Sequence, residues 1–150
     1  MPEPRTIALL GATGFTGRLV AAELTRRGVA HRLGGRAGAG GAGATRTGAG
    51  IGQCGALDRF CPVVDIGDPA SLDAFLDGAD VLVTCVGPFT LHGMPVVEAA
   101  VRTGTAYVDS TGEFGFMAEV YARFRDAASA VVPACGFDYI PGDLAAAIAV

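Results

Sequence analysis

The stretch of sequence that decides the fold is an apolar run followed by a glycine-rich turn, Ile7-Ala8-Leu9-Leu10-Gly11-Ala12-Thr13-Gly14-Phe15-Thr16-Gly17. Four consecutive apolar residues that end at a glycine are typical of a strand buried on both faces. Apolar residues at helical spacing then predict a helix from Gly14 to Arg27, which Gly28 ends. A strand, a tight turn and a helix in this order form the first half of a βαβ unit.

The glycines of this turn follow the spacing GxxGxxG, a variant of the dinucleotide-binding fingerprint. In that motif the first glycine allows a sharp turn, the second lets the backbone approach a pyrophosphate, and the third allows close packing of helix on strand. The helix N-terminus then holds the anion. An ordinary tight turn is the alternative, but the flanking strand and helix favour a cofactor site made of Gly11, Ala12, Thr13, Gly14, Phe15, Thr16 and Gly17.

The residues after the second predicted strand indicate which dinucleotide binds. An NAD site usually places Asp or Glu about 20 residues after the turn, whereas Arg at that place suits a 2′-phosphate. No acidic residue occurs between Glu23 and Asp58, and Arg36 ends the segment Leu33-Gly34-Gly35-Arg36. A guanidinium binds phosphate in bidentate fashion. The sequence therefore predicts NADP as the cofactor, the alternative being that Arg36 is a solvated loop residue.

Strands alternate with helices along most of the chain, which predicts an α/β fold with a doubly wound parallel sheet of the Rossmann type. Six strands are expected, at Ile7–Leu10, His31–Gly34, Cys61–Asp65, Val81–Val86, Tyr107–Val108 and Val131–Val132. Further helices are expected from Asp68-Pro69 to Gly78, around Met94 and up to Gly104, around Phe116 to Phe124, and from Asp143 onward. All 150 residues are assigned to one NADP-binding domain.

The segment 37–59 departs from this pattern. Ten of the 22 residues from Gly34 to Gly55 are Gly, and the segment lacks the apolar anchors of a helix. Since each interior Gly costs about 0.8–1.0 kcal/mol relative to Ala, we expect an irregular, mobile loop where a doubly wound domain usually has a crossover helix. A local out-of-frame reading of GC-rich DNA is one hypothesis for the departure.

Composition excludes several classes of function. The net charge of −4 and the lack of a basic run argue against nucleic acid as a partner. The chain contains no Lys, which rules out a Tyr-x-x-x-Lys pair, a Schiff base and a P-loop. Four scattered Cys and two distant His give no metal-binding pattern, and neither a signal peptide nor a membrane span is recognisable. We expect a soluble, cytoplasmic protein, and the sequence leaves open whether it forms a homo-oligomer.

Five segments occur in the same order as in a known family: GATGFTGRLVAAEL from Gly11, LGGR from Leu33, VGPF from Val86, YVDSTGE from Tyr107 and CGFDYIPGDL from Cys135. Together they resemble the N-terminal NADP-binding domain of saccharopine dehydrogenase-like oxidoreductases, including the trans-acting enoyl reductases of lipid synthesis. The resemblance covers nearly the whole chain except residues 37–59. It implies that a substrate domain normally follows, so we expect the chain alone to bind cofactor and to be inactive.

Further candidate residues follow the later strands. The resemblance places Asp65 near the adenine ring, and the alternative is a carboxylate that serves the start of the next helix. Gly87 and Pro88 follow a strand at the edge where ligands bind, and they would let the cofactor approach the backbone. Catalytic residues stay unassigned: Asp109, Glu113, Cys135 and Asp138 are candidates to position or protonate a substrate, although capping and packing roles are favoured for each.

The function predicted from the sequence is that of an NADP(H)-binding domain in a saccharopine dehydrogenase-like oxidoreductase that acts on a small-molecule substrate. The alternative is a non-catalytic NADP-binding sensor or scaffold, which would account for the lack of an obvious acid–base pair. The substrate and the direction of the reaction are not predicted, because a fold does not specify them.

Overall fold

The protein, seen here as a computed structural model, is described over residues 5–35 and 61–149. Within these ranges five strands form one parallel sheet in the order β2-β1-β3-β4-β5. The strands are β1 (Ile7–Leu10), β2 (His31–Gly34), β3 (Val81–Thr84), β4 (Ala106–Asp109) and β5 (Val131–Val132). This is the predicted Rossmann-type α/β fold. Arg36 and the segment 37–59, for which an irregular loop was predicted, lie outside the described residues.

Helices cover both faces of the sheet, as a doubly wound fold requires. They are α1 (Phe15–Arg26), α2 (Pro69–Leu76), α3 (Phe89–Thr103), α4 (Phe114–Arg123) and α5 (Ile140–Ala149). On one face Ala21 of α1 packs in a cluster with Leu9. On the other face α2, α3 and α4 pack in a larger cluster around Leu82 and Tyr107.

The strand ends are aligned, which brings the loops that follow them to one edge. Leu10 lies opposite both Gly34 and Thr84, and Thr84 lies opposite Asp109. Because all strands run parallel, each of them delivers its next residues to the same carboxyl edge. Ligands of open parallel sheets bind outside this edge, where the strand order reverses on either side of β1.

Besides shifts of one or two residues at element ends, two predicted elements differ from those observed. The strand predicted at Cys61–Asp65 is reduced to a single parallel bridge between Gly35 and Val63, and Pro62 there has no N–H to donate. Helix α3 contains the predicted Met94 and ends at the predicted Gly104, and it begins at Phe89, for which no start was predicted. Helix α5 begins at Ile140 instead of Asp143, because Pro141 is compatible with a first helical turn.

Candidate dinucleotide site

The first glycine of the turn is required by backbone conformation. Gly11 has a φ of +84°, in the left-handed region that side chains disfavour. Its amide N–H and that of Ala12 donate to the Gly34 carbonyl at 2.8 and 3.1 Å. A Cβ at Gly11 would also lie 3.0 Å from Cγ2 of Val86. The turn is thereby fixed against the ends of both neighbouring strands.

The third glycine is required by packing. A Cβ built at Gly17 would lie 2.1 Å from the Gly11 carbonyl oxygen and 2.8 Å from Cα of Ala12. These are backbone atoms, so they cannot yield as a flexible side chain would. Helix α1 therefore lies directly against the turn, as the fingerprint predicts.

The middle glycine is required by neither the conformation nor the packing of this chain. Gly14 has φ −75° and ψ 170°, an extended conformation that any residue adopts. Among the described residues, a Cβ built there would meet only the Gly11 carbonyl oxygen, at an ordinary 3.4 Å. Gly14 is exposed, and its missing side chain leaves the backbone open to close approach from solvent.

Helix α1 begins without a side-chain cap. Gly14 is its N-cap residue and supplies no side-chain hydrogen bond. The first N–H groups of a helix have no partner within it, and the positive end of the helix dipole favours an anion there. By contrast, Asp68 Oδ1 caps α2 by accepting from the Ala70 amide at 3.0 Å. The start of α1 thus combines a bare backbone with an uncapped helix end.

The end of β2 lies beside the turn. Gly35 is buried, and a Cβ at this position would lie 3.0 Å from Cγ2 of Thr13 and 3.2 Å from Sγ of Cys61. Arg36, the residue predicted to bind a 2′-phosphate, comes next in the sequence but lies outside the described residues. Its role stays a prediction.

Asp65 lies two residues past the bridge between Gly35 and Val63 and is exposed. Its Oδ1 accepts from the Gly67 amide at 2.9 Å, and its own amide donates to Ser71 Oγ at 3.0 Å. These bonds shape the turn that leads into α2, which was the alternative to a contact with adenine. Neither hydrogen bond bears on a contact between Asp65 and adenine, which stays a prediction.

The loop after β3 carries Gly87 and Pro88, both exposed, joined by a cis peptide bond. Helix α3 follows at once, and its first turn is held by Glu113 from the loop after β4. The amides of Phe89 and Thr90 donate to the two Glu113 carboxylate oxygens at 2.6 and 2.8 Å, and the Thr90 hydroxyl donates as well. These bonds, that of the Thr90 hydroxyl foremost, lower the pKa of Glu113. Glu113 is therefore an ionised acceptor.

Asp109 ends β4 and is buried, with 2% of its surface exposed. Its Oδ1 accepts from the amides of Thr111 and Ala134, both at 2.8 Å, and its Oδ2 accepts from the Tyr107 hydroxyl at 2.7 Å. Burial, followed by the charge of Asp109, raises the pKa of Tyr107, which stays a protonated donor. All three partners of Asp109 belong to this chain, so its carboxylate is committed to holding the fold.

Cys135 and Asp138 follow β5 and lie at a different place from Gly87. They line a cavity of about 470 Å³ between α4, the end of β5 and α5, together with Tyr121 and Tyr139. Burial raises the pKa of the Cys135 thiol. The strand count alone placed these residues at the carboxyl edge, but it could not separate this cavity from the glycine turn.

Sequence reasoning missed two interactions: the hydrogen bond from the Tyr107 hydroxyl to Asp109, and the capping of α3 by Glu113. Tyr107 stands two residues before Asp109, and alternate residues of a strand point to the same face, so their contact had a local signal. The bond from Glu113 to Phe89 spans 24 residues and had none. Within residues 5–35 and 61–149, no three His, Cys, Asp or Glu side chains are grouped to hold a metal ion, and none of the helices is long and apolar enough to cross a membrane.

Comparison with known families gives a match over most of the chain. The family model described as the saccharopine dehydrogenase NADP binding domain matches residues 7–135. This range runs from the start of β1 to the loop after β5, so it includes the whole sheet and the glycine turn.

The chain is similar to longer curated proteins. It is 38% identical over 146 residues to the trans-acting enoyl reductase of Mycobacterium ulcerans, an alignment that covers 92% of this chain and 34% of that protein. It is 37% identical over 144 residues to the trans-acting enoyl reductase of Mycobacterium bovis, with 92% and 34% covered. The chain therefore spans about a third of the length of these relatives.

Among solved structures, the fold is similar to apo saccharopine dehydrogenase (L-Glu forming) from Saccharomyces cerevisiae. The TM-score is 0.68 at 24% sequence identity, and the match covers 97% of this chain and 30% of the yeast protein. At this identity the likeness concerns the fold.

Proposed function

The chain belongs to the family of saccharopine dehydrogenase NADP-binding domains, and from this premise we propose that it holds NADP(H) on the turn Gly11–Gly17 as part of an oxidoreductase. The observation that carries the placement is Gly14. Neither the backbone conformation nor the packing of the described residues 5–35 and 61–149 requires glycine there, whereas a ligand that touches the backbone does. The uncapped start of α1 supplies N–H donors for a pyrophosphate at the same place.

The strand order sets the direction in which the dinucleotide lies. In this type of fold the residues after β2 contact the adenosine ribose, and the pyrophosphate crosses the turn after β1. The nicotinamide half would then be held on the other side of β1, by the loops after β3 and β4. Gly87 and Pro88 are exposed at that place and offer a surface without long side chains.

Bound NADPH supplies a hydride, and this chain supplies binding and orientation. The two carboxylates nearest in sequence to the end of β4 are not free acids. Asp109 is surrounded by three donors, and Glu113 is ionised and caps α3. Among the four candidates from the sequence, Cys135 and Asp138 are left to face a substrate, in the cavity beside α5.

We propose that the hydride acceptor is an enoyl group, because relatives at 37–38% identity are named trans-acting enoyl reductases. These relatives are about three times as long as the chain, so we expect further substrate contacts from sequence that has no counterpart here. The cavity beside α5 is then one wall of a substrate site that further residues complete.

The experiment that tests the proposal is calorimetric titration of the chain with NADPH and with NADH. NADPH should bind more tightly, because Arg36 stands where an NAD site has an acid. Arg36→Ala should weaken NADPH binding by about 1.5–3 kcal/mol, the range for hydrogen bonds to charged groups, and leave NADH nearly unchanged.

Arg26→Ala is the matched control, since Arg26 lies at the far end of α1 and pairs with Glu23 on the surface. It should change neither affinity. Equal affinities for NADPH and NADH in the unaltered chain would contradict the assignment of Arg36, and no binding of either would contradict the proposed function.

A non-catalytic NADP sensor or scaffold is the second candidate. It is favoured by the commitment of Asp109 and Glu113 to hydrogen bonds within the chain, which leaves neither of them available for acid–base work. Reduction of an enoyl substrate by a chain of the relatives' full length would decide for the enzyme.

A further inference from the structure

We propose that the segment Tyr107–Glu113 is a brace that joins the three loops after β3, β4 and β5 into one rigid unit under the nicotinamide half of the cofactor. Asp109 and Glu113 are its positioning residues. The inference rests on the proposed function, since it assigns a role toward the cofactor that the turn Gly11–Gly17 binds.

The first connection runs from β4 to the loop after β5. Asp109 Oδ1 accepts from the Ala134 amide at 2.8 Å, and the Asp109 carbonyl accepts from the Cys135 amide at 2.8 Å. Ala134 has a φ of +63°, a conformation that residues other than Gly rarely adopt. The two hydrogen bonds that Asp109 accepts thus hold the loop after β5 in a conformation that it would not favour by itself.

The second connection runs within the loop after β4. The Thr111 amide donates to the same Oδ1 of Asp109 at 2.8 Å, and Thr111 Oγ1 accepts from the Glu113 amide at 3.0 Å. Thr111 is 1% exposed, so water does not compete for these bonds. The backbone of Glu113 is therefore placed relative to Asp109 through a single buried side chain.

The third connection runs from Glu113 to the loop after β3. Its carboxylate accepts from the amides of Phe89 and Thr90, the first two residues of α3. Gly87 and Pro88 directly precede this turn. Hydrogen bonds to an ionised acceptor are stronger than neutral ones, so the connection fixes the residues over which the nicotinamide is proposed to lie.

The brace lies entirely on one side of the glycine turn. Its loops follow β3, β4 and β5, whereas the adenosine half is proposed to lie beyond β1, next to β2. Loops at a ligand edge are ordinarily more mobile than the strands that carry them. Loosening the brace should therefore weaken contacts to the nicotinamide half and leave those to the adenosine half intact.

The test compares two ligands on the same variants. NADPH carries both halves, and adenosine 2′,5′-bisphosphate carries only the adenosine half with its 2′-phosphate. In Glu113→Gln and Asp109→Asn, the affinity for NADPH should fall roughly tenfold or more, the loss of one or more charge-assisted hydrogen bonds. The affinity for adenosine 2′,5′-bisphosphate should stay within about twofold of that of the unaltered chain.

Glu119→Gln is the matched control, because Glu119 lies on the exposed face of α4 and pairs with Arg123 at 3.3 Å on the surface. It should change neither affinity. If Asp109→Asn does not fold, Glu113→Gln and Tyr107→Phe decide the matter, since each removes hydrogen bonds of the brace and keeps the Asp109 side chain.

If the brace acted on stability alone, the variants would bind NADPH and adenosine 2′,5′-bisphosphate equally more weakly, or would only melt at a lower temperature. Either result would overturn the proposed role of the brace. Unchanged NADPH binding in folded Glu113→Gln would overturn it as well. Failure of the unaltered chain to bind both ligands would instead overturn the proposed function, so the two proposals fail in different ways.

Discussion

The three glycines of the turn differ in what requires glycine at each position. Gly11 is set by its positive φ, Gly17 by a backbone oxygen 2.1 Å from where a Cβ would be, and Gly14 by neither. The sequence predicts all three from their spacing, but it cannot distinguish a glycine that the fold needs from one that a ligand needs. That distinction depends on how closely α1 approaches β1.

The consequence for Gly14→Val is loss of cofactor binding without loss of fold. The branched side chain would occupy the space proposed for the pyrophosphate, while its Cβ meets one atom of the described part of the chain, at 3.4 Å. Titration with NADPH should show no binding, and far-UV circular dichroism and the melting temperature should stay close to those of the unaltered chain.

Gly17→Ala is the companion variant and should behave in the opposite way. Overpacking against backbone costs about 1–3 kcal/mol or more, so its unfolding midpoint in urea should fall clearly.

Normal NADPH binding by Gly14→Val would mean that the phosphates are held elsewhere.

The helices differ in how far the sequence predicts their ends. For α2 the capping residue Asp68 and the first-turn residue Pro69 are adjacent to the helix, and the predicted start is the observed one. For α3 the capping carboxylate is that of Glu113, which lies in another loop, and the sequence near Pro88 contains no signal for it. The sequence therefore predicted residues inside this helix and its end at Gly104 but no start, because the interaction that stabilises the start spans 24 residues.

The cap of α3 by a carboxylate makes the stability of the protein depend on pH in a defined way. The pKa of Glu113 is lowered in the folded state, chiefly by the Thr90 hydroxyl and then by the amides of Thr90 and Phe89. Its contribution is therefore complete above the unfolded pKa, near 4.5, and declines as the pH falls through the lower folded pKa.

Urea unfolding of the unaltered chain and of Glu113→Gln at a series of pH values would measure this. The unaltered chain should be the more stable of the two at pH 7, and the difference should shrink below about pH 4.5. A difference that does not change between pH 7 and pH 3 would show that the carboxylate charge contributes nothing to the cap.

For the whole molecule, the parallel sheet with helices on both faces follows from the alternating pattern and the glycine turn, whereas the surroundings of α5 do not. This helix contains mostly apolar residues, yet in the described part of the chain none of its residues is buried, and Ile148 is 85% exposed. A helix that is apolar on all sides is ordinarily buried. The sequence predicted a helix from Asp143 onward, but it did not predict which residues would pack against that helix.

Cofactor binding without turnover is the expectation for the 150-residue chain. The relatives are about three times as long, and the cavity that carries Cys135 and Asp138 is open beside α5. NADPH mixed with the purified chain and small enoyl or carbonyl compounds should keep its absorbance at 340 nm. Oxidation above the rate without protein would refute this expectation, and titration with NADPH under the same conditions is the control that the chain is competent to bind.

The order β2-β1-β3-β4-β5 also determines when the sheet can assemble during synthesis. The central strand β1 pairs with β3 from Ile7↔Val81 onward, and the Thr6 amide donates to a carboxylate 74 residues further along the chain, that of Asp80. Pairing at such separations is slow, because the loop must close before any contact stabilises it. On the ribosome, we therefore expect β1 and β2 to stay without their central partner until β3 has left the exit tunnel. The glycine turn then gains its contacts with Val86 and Cys85 only at that stage.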